Sequence, residues 1–333
     1  MMKKKSDKKL MEQVKEILEK RGHKAFEIAK NVILNEKILG EMVYSALRYF
    51  MHESWYDVQH PALISLACEA VGGDPNATTN IGASMVLLAG ACDIHDDIID
   101  KSKVKNGKLT VFGKFGEDIA IIAGDTLFVN GLTFLSEACE KFPKKKRKII
   151  LNLVNQAFLE IGEAEAREAK LKGRYDVSPE EYYTVIKMKA SVAEAMARIG
   201  AIIGGGKSKE INALGRYGRT LGILMTIRDE FIDLFEEEEL RNRVKNECLP
   251  LPLLYAFQNK NTKNEIIPLL KIYRRKDIIK KVVKDIIKTQ EVVELKKKLQ
   301  AMINKGKKEL YFVNKPEIRL EMDLLLSSTI EDI

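Results

Sequence analysis

The sequence predicts an all-α fold, because its helical periodicity is long and its strand signals are weak. Only 8 of the 333 residues are proline. Apolar residues recur at helical spacing through segments of about 20 to 30 residues, which is long for helices of globular proteins. Runs that alternate β-branched and polar residues are almost absent. These three features indicate a protein built from long helices.

Turn-forming residues separate these helices, but no linker divides the chain. The breaks fall at residues 72–76, 106–107, 142–143, 173–179, 204–206, 250–252 and 315–316. One helix start is marked clearly, with Ser178 at the N-cap position and Pro179 at the first helical position. Internal repeats and Ser/Gly-rich linkers are absent from the sequence. We therefore predict one large helical domain, residues 1–333.

The composition excludes several classes of function. The net charge of +8 arises from 56 basic and 48 acidic residues, and the basic runs are not interleaved with aromatic residues as in nucleic-acid-binding modules. The four cysteines form no CxxC pair, which argues against a zinc site and a disulfide framework. No uninterrupted apolar run reaches the roughly 18 to 20 residues that span a bilayer. We expect a cytoplasmic protein without signal peptide or transmembrane segment, and no nucleic-acid partner.

An apolar helix that begins near Thr78 leads into a first acidic motif, Asp96-Asp97-Ile98-Ile99-Asp100. Residues three and four apart share a helix face, so Asp96 and Asp100 follow an apolar surface. That surface consists of Met85, Leu88, Ala89 and Cys92. The helix therefore presents an apolar face for two turns and an acidic face at its end.

The same arrangement recurs in a second acidic motif, Asp229-Glu230-Phe231-Ile232-Asp233, which also follows apolar helical turns. Clustered carboxylates repel one another, so two such sets on apolar helices require a compensating charge. Mg²⁺ binds one or two carboxylates and completes its coordination with phosphate oxygens and water. The two motifs therefore predict a magnesium-dependent diphosphate site, with the apolar turns lining a pocket for a hydrocarbon tail.

These motifs resemble those of the trans-prenyl diphosphate synthase (polyprenyl synthetase) family, within the class I isoprenoid synthases. The resemblance covers nearly the whole chain and extends to residues 69–74, 123–125, 182–189 and 249–250. It implies a helical bundle around a central cavity, an allylic prenyl diphosphate as substrate, and a homodimer or a heterodimer with an active prenyl synthase. A tail pocket with small residues at Ala89, Ala91 and Cys92 implies a substrate of about C15 or longer under the family's depth rules.

The resemblance also implies roles for individual residues. Asp96, Asp100, Asp229 and Asp233 correspond to the metal-binding aspartates. Asp97 and Glu230 support them. Lys189 occupies the position of a lysine that contacts the diphosphate, and Arg228 and Lys105 are further candidates for neutralising its oxygens. Electrostatic stabilisation of the departing diphosphate is then the main catalytic contribution.

The chain departs from the family where the second substrate, isopentenyl diphosphate, is bound. The family's GGKRxRP stretch falls on residues 55–61, WYDVQHP, and retains only the proline. The later Arg-Arg-Gly-x-Pro-Thr stretch becomes residues 105–110, KNGKLT. Arginine and lysine supply the charge-assisted hydrogen bonds that hold a diphosphate, so we expect weak binding of isopentenyl diphosphate. The basic side chains that could replace them are Arg48, His52, His60, Lys103, Lys105 and Lys108.

Asp93 is a further departure, because the family usually has an apolar residue at this position. It lies one helical turn before Asp96 and Asp97. We predict that its carboxylate lies near the prenyl cation and either stabilises positive charge or accepts a proton.

Three functions follow from these features. The chain is a diverged prenyltransferase, a terpene synthase-like cyclase or prenyl diphosphate hydrolase, or a non-catalytic subunit of a heteromeric prenyl synthase. The intact aspartates disfavour the third, since a scaffold gains nothing from a costly acidic cluster, and the family resemblance favours prenyl transfer.

Overall fold

The computed structural model describes residues 2–37, 40–271, 283–331 and 333. Within these ranges the chain is almost entirely helical, which confirms the predicted all-α fold. The helices are α1 (Met2–Leu34), α2 (Glu41–Tyr49), α3 (Gln59–Ala70), α4 (Thr79–Ile99), α5 (Val111–Phe115), α6 (Glu117–Cys139), α7 (Lys144–Ala169), α8 (Pro179–Lys189), α9 (Ser191–Ile203), α10 (Ser208–Asp233), α11 (Glu237–Asn246), α12 (Leu251–Ala256), α13 (Lys260–Lys271), α14 (Gln290–Lys308) and α15 (Pro316–Ser328).

Local sequence accounts for several element boundaries. The Ser178 hydroxyl accepts a hydrogen bond from the Glu181 backbone N–H at 3.1 Å, so the predicted start of α8 is confirmed. A small antiparallel hairpin pairs β1 (Val104–Lys105) with β2 (Lys108–Leu109). Its two turn residues, Asn106 and Gly107, have φ of 51° and 72°, as two-residue hairpin turns require.

The core is organised around α4 and α9. Helix α4 is buried along most of its length and packs against α1, α3 and α6, whereas α9 packs against α3, α7 and α10. Gly200 allows α9 to approach α3 closely, because a Cβ at this position would lie 2.2 Å from the Ile64 carbonyl oxygen. The packing brings the C-terminal ends of α4 and α10 to a common cavity.

Within the described residues, two helical segments are long and apolar enough to cross a bilayer, whereas the absence of long uninterrupted apolar runs predicted none. They are residues Pro75–Ile99 and Glu117–Cys139, whose most apolar windows are 67% and 33% buried in the protein. Core helices of globular proteins have the same length and composition, so this finding is weak support for a membrane span. Helix α6 nevertheless exposes an apolar face, formed by Ile121, Ile122, Val129 and Leu132.

Candidate functional site

The first acidic motif lies at the C-terminal end of α4, where the helix stops at Asp100. The C-terminal end of a helix carries partial negative charge, so carboxylates at this position need nearby cations. Lys105 supplies one, with its Nζ 2.7 Å from Asp97 Oδ1 and 4.0 Å from Asp96 Oδ2. Lys172 supplies another, with its Nζ 3.0 Å from Asp100 Oδ1. Burial nevertheless raises the pKa of Asp97 to about 6.

The second acidic motif lies in the last turn of α10 and faces the first. Arg243, from α11, places Nη2 2.8 Å from Asp233 Oδ2 and donates a hydrogen bond from Nε to the same oxygen. Arg228 Nη1 lies 3.7 Å from Asp229 Oδ1. Burial raises the pKa of Asp229 to about 6, and the Asp233 charge adds to this effect. Both motifs are thus carboxylate-rich and partly neutralised by basic side chains.

Glu230 has a different place from the one expected of a substrate-binding residue. It is fully buried, and it accepts hydrogen bonds from the Tyr182 hydroxyl and from the Leu251 backbone N–H at 2.8 Å. Arg243 Nη1 lies 3.6 Å from it. Since Glu230 points into the protein and lies outside the cavity lining, its role is to anchor Arg243 and α12 to α10.

The two motifs line one polar cavity of about 390 Å³. All four aspartates expected to bind metal reach it. Its charged lining consists of seven carboxylates, Asp96, Asp100, Asp229, Asp233, Glu236, Glu239 and Glu247, and two basic residues, Lys105 and Arg243. The lining carboxylates therefore outnumber the lining cations by five. An excess of negative charge on this scale favours the binding of multivalent cations.

The donor atoms fit magnesium that is shared with a phosphate ligand. Asp96 Oδ1 is buried and has no hydrogen-bond partner among the residues that the structure describes, so it is available to a cation. Within the described ranges, no three His, Cys, Asp or Glu side chains are placed to hold a metal ion by themselves. Mg²⁺ needs only one or two carboxylates when phosphate and water oxygens complete its octahedron. Asp96, Asp100, Asp229 and Asp233 are the residues that would hold it.

Lys189 and Arg228 line a second, central cavity of about 460 Å³. Lys189 Nζ lies 2.9 Å from Glu165 Oε1 and 2.5 Å from Glu168 Oε2. These two α7 glutamates were not predicted as site residues. The sequence feature that could have identified them is their spacing of three residues on a long helix, which places both on one face.

The predicted tail pocket is formed by the residues named from the α4 pattern. Met85, Leu88, Ala89 and Cys92 line an apolar pocket of about 140 Å³. Helices α7 and α9 complete it with Val154, Ala157, Phe158, Ile161, Val192, Ala195 and Met196. Burial raises the pKa of the Cys92 thiol to about 12, so this residue is a neutral wall and not a nucleophile.

Asp93 lies where the apolar pocket meets the central cavity, since it lines both. Its Oδ2 accepts a hydrogen bond from Trp55 Nε1 at 2.5 Å. Burial raises the pKa of the Asp93 carboxyl, and the nearby Asp96 and Asp57 charges act in the same direction, whereas Lys105 and Trp55 oppose them. Trp55 is a partner that the sequence pattern did not identify.

Most of the basic residues considered as substitutes near isopentenyl diphosphate have other partners. Lys105 is paired with the first acidic motif, and Lys108 Nζ donates to the Glu53 carbonyl oxygen at 2.6 Å. Lys103 lies over the Phe112 ring. His60 alone of this set lines the central cavity, and it is paired with Asp57. Neither Arg48 nor His52 is part of the cavity lining.

The chain is similar to known proteins of one family. The family model described as polyprenyl synthetase matches residues 58–290. A short chain isoprenyl diphosphate synthase of Methanothermobacter thermautotrophicus is 36% identical over 180 residues, 54% of each chain. A geranylgeranyl diphosphate synthase of Methanosarcina mazei is 32% identical over 210 residues, 63% of this chain and 64% of the relative. The chain thus spans between about half and two thirds of the length of these curated relatives.

A solved structure agrees over a longer range. The geranylgeranyl pyrophosphate synthetase of Pyrococcus horikoshii Ot3 superposes with a TM-score of 0.81 and 26% identity, covering 97% of this chain and 99% of that one. The matched family model spans both acidic motifs, the apolar pocket and Lys189. The chain therefore belongs to the polyprenyl synthetase family.

Proposed function

We propose that the protein is a magnesium-dependent prenyltransferase-type enzyme that ionises an allylic prenyl diphosphate. The observation that carries this proposal is the cavity with seven carboxylates and two basic residues, formed where the two acidic motifs face each other. Such a lining is unfavourable unless divalent cations occupy it, and a diphosphate is the ligand that completes their coordination. Relatives named as prenyl diphosphate synthases support the same substrate class.

The prenyl tail has a suitable site in the apolar pocket, which shares Asp93 with the central cavity, and the central cavity in turn shares Asp229 with the polar cavity. The pocket below Asp93 is lined almost entirely by apolar side chains, and Met85 and Leu88 are each only 1% exposed. Burying a hydrocarbon chain there contributes roughly 25 cal/mol per Å² of apolar surface removed from water. In this proposal the diphosphate lies between the motifs, the tail lies beside Met85, and the reacting carbon lies near Asp93.

Each part of the site then has a defined task. Bound magnesium would stabilise the negative charge that develops on the departing diphosphate. Lys189 and Arg228 face the central cavity and add positive charge near the diphosphate oxygens. The apolar wall excludes water from the tail, and Asp93 favours positive charge on the prenyl group. A non-catalytic subunit would have no use for this concentration of buried carboxylates, which would destabilise the fold without cations.

We further propose that two copies pair through α6. Val129 is 62% exposed and lies on α6 with the exposed residues Ile121, Ile122 and Leu132, and Leu159 of the following helix, α7, is 67% exposed. Exposed apolar surfaces of this kind mark protein interfaces. Light scattering should give the mass of a dimer, and Val129→Glu with Leu159→Glu should shift it to the monomer. A monomeric parent protein would contradict this pairing.

The decisive test of the proposed function is turnover of allylic diphosphates. The full chain is incubated with Mg²⁺ and C10 to C20 allylic diphosphates, with and without isopentenyl diphosphate, and products are identified by mass. We expect magnesium-dependent release of diphosphate, and Asp96→Ala should lower the rate by about 10³-fold, the scale of a lost electrostatic contact. The matched control is Asp118→Ala, an exposed aspartate of α6 outside both cavities. Equal turnover in Asp96→Ala and the parent protein would overturn the proposal.

A further inference from the structure

An aspartate–histidine pair stands at the start of α3, facing the central cavity. Asp57 Oδ1 accepts hydrogen bonds from the backbone N–H groups of Gln59 at 2.9 Å and His60 at 3.2 Å. Its second oxygen, Oδ2, accepts from His60 Nδ1 at 2.8 Å. Asp57 is also mostly buried, with 7% of its surface exposed. Burial and these hydrogen bonds hold its carboxylate at the start of α3. This arrangement orients the imidazole and assigns the proton on Nδ1.

The remaining ring nitrogen, Nε2, is directed away from Asp57. No hydrogen bond to His60 Nε2 is found in the part of the chain that the structure describes. His60 lines both the apolar pocket and the central cavity, as Asp93 does. A prenyl chain whose tail fills the pocket and whose diphosphate lies between the acidic motifs must pass this junction. The imidazole therefore adjoins the path of the reacting carbon.

The charge around His60 disfavours an acceptor that carries a diphosphate. Asp57 and Asp93 both lie near His60 and together outweigh its single positive charge. The lysine and arginine of the cavity already lie near carboxylates. Lys189 is paired with Glu165 and Glu168, and Arg228 lies near Asp229. A second diphosphate would thus enter without surplus positive charge, whereas a neutral acceptor meets no such barrier.

We propose that Asp57 and His60 form a general-base pair that accepts the proton of a neutral hydroxyl acceptor, of which water is the smallest. This inference rests on the proposed function and specifies its second substrate. Asp57 and His60 are arranged as in known acid–base pairs, in which a carboxylate orients an imidazole and stabilises the imidazolium that forms.

The reaction balances without a further reactant. The C1–O bond of the allylic diphosphate breaks, and its electron pair leaves with the diphosphate. A lone pair of the acceptor oxygen forms the new C–O bond, and the acceptor proton passes to His60 Nε2. Asp57 stabilises the resulting imidazolium, which then releases the proton to solvent. The products are diphosphate and a prenyl alcohol or prenyl ether.

The titration of His60 depends on every charged group that faces it. Burial lowers the pKa of His60, but Asp57 and Asp93 more than offset this effect, so its pKa lies above the ordinary value. Lys189, Arg228 and Asp229 face it across the cavity. A histidine with a raised pKa is the stronger proton acceptor, and its neutral fraction grows as the pH rises. The rate of acceptor capture should therefore increase with pH through this titration.

The test follows the oxygen atom of isotopically labelled water into the reaction products. The full chain is incubated with Mg²⁺ and farnesyl diphosphate in H₂¹⁸O, with and without isopentenyl diphosphate, and the label is located by mass spectrometry. Label in the prenyl alcohol reports cleavage of the C–O bond, whereas label in phosphate reports cleavage at phosphorus. We expect labelled alcohol from the parent protein, formed about 10²-fold more slowly by His60→Gln, the usual size of a general-base contribution.

Three variants distinguish a general-base role of Asp57 and His60 from a purely structural role. Asp57→Asn should slow label incorporation and shift its pH profile, and His60→Arg should suppress labelled alcohol while improving condensation with isopentenyl diphosphate. His23→Gln, which changes an exposed histidine, should behave as the parent protein does. Stabilisation by Mg²⁺ and pyrophosphate should persist in all three, which shows that each is folded.

Two results would overturn the inference. One is unlabelled alcohol, or no alcohol, from a parent protein that is stabilised normally by Mg²⁺ and pyrophosphate. The other is equal label incorporation by His60→Gln and the parent protein. Loss of the Mg²⁺ and pyrophosphate response in the parent protein would instead contradict the proposed function, so the two failures are distinguishable.

Discussion

The site has two sides, the polar cavity between the acidic motifs (the diphosphate side) and the central cavity at His60 (the acceptor side), and they differ in how their charge relates to the ligand expected there. On the diphosphate side, Asp96, Asp100, Asp229 and Asp233 converge on one cavity, as the motif spacing predicts. On the acceptor side, the stretch where the sequence analysis expected the family's basic residues holds an aspartate–histidine pair, Asp57 and His60. We propose that the first side ionises an allylic diphosphate and that the second side does not bind another diphosphate tightly. Under this proposal, ionisation and acceptor choice are separable properties of the site.

The largest expected effect is the loss of stability on replacing Arg243, the basic residue shared by the carboxylates of the diphosphate side. Arg243 is mostly buried and contacts Asp233, Glu230 and Glu247. Arg243→Gln would leave these carboxylates without their shared partner, which we expect to lower the free energy of unfolding by about 3 to 5 kcal/mol. Chemical denaturation provides the measurement.

A matched surface arginine provides the control for this change. Arg216→Gln removes a pair with Glu309 in which the guanidinium is 58% exposed, and it should cost less than about 1 kcal/mol. If the two variants were equally stable, the charge network at the second acidic motif would not contribute to the fold.

The next effect concerns Asp93, which lies between the two sides. Asp93→Leu removes the carboxylate that accepts from Trp55 and leaves the four cavity aspartates in place. We expect normal stabilisation by Mg²⁺ and pyrophosphate, together with an altered product mixture or turnover slower by about 10²-fold. Asp118→Leu is the control. Loss of ligand binding with unchanged products would mean that Asp93 belongs to the diphosphate side.

Basic residues introduced on the acceptor side should increase the affinity for isopentenyl diphosphate. The triple variant Asp57→Lys, Val58→Arg and His60→Arg adds three basic residues and removes one carboxylate. Charge-assisted contacts to a diphosphate contribute roughly 1.5 to 3 kcal/mol each, so isopentenyl diphosphate should bind at least about tenfold more tightly. Calorimetry measures this change. Tight binding by the parent protein, or no gain in the variant, would show that the acceptor side holds a diphosphate by other means.

The smallest effect is the pH dependence of the diphosphate side. The pKa values of Asp97 and Asp229 are raised to about 6 by burial. Stability from these carboxyls is fully present below the ordinary pKa of about 4 and is lost as the pH rises through about 6. Magnesium requires the ionised carboxylates, so its stabilising effect should grow by a few-fold across the same window. Melting curves from pH 5 to 7.5 test both trends, and Asp97→Asn should reduce the first.

The helices and the four cavity aspartates could be predicted because both depend on local spacing. The i, i+4 relation on α4 fixes which side chains share a face with Met85, whatever the rest of the fold does. The partners could not be predicted, because they come from distant elements. Lys172 reaches Asp100 from beyond α7, and Trp55 reaches Asp93 from the loop before α3. The direction of the Glu230 side chain could not be predicted either, because a motif position does not reveal which way a buried side chain points.

The prediction of one domain over residues 1–333 and that of a cytoplasmic location remain predictions. The predicted fold class and family resemblance are confirmed by the helical architecture and by the polyprenyl synthetase match.

The central claim is that both acidic motifs bind magnesium and a diphosphate together, and calorimetric titration of pyrophosphate tests it most directly. The parent protein, Asp96→Ala and Asp233→Ala are each titrated with and without Mg²⁺. We expect tight binding by the parent protein only when Mg²⁺ is present, and at least about 10-fold weaker binding by each variant, since each lacks one side of the site. Binding that is independent of Mg²⁺, or unchanged in both variants, would contradict the account.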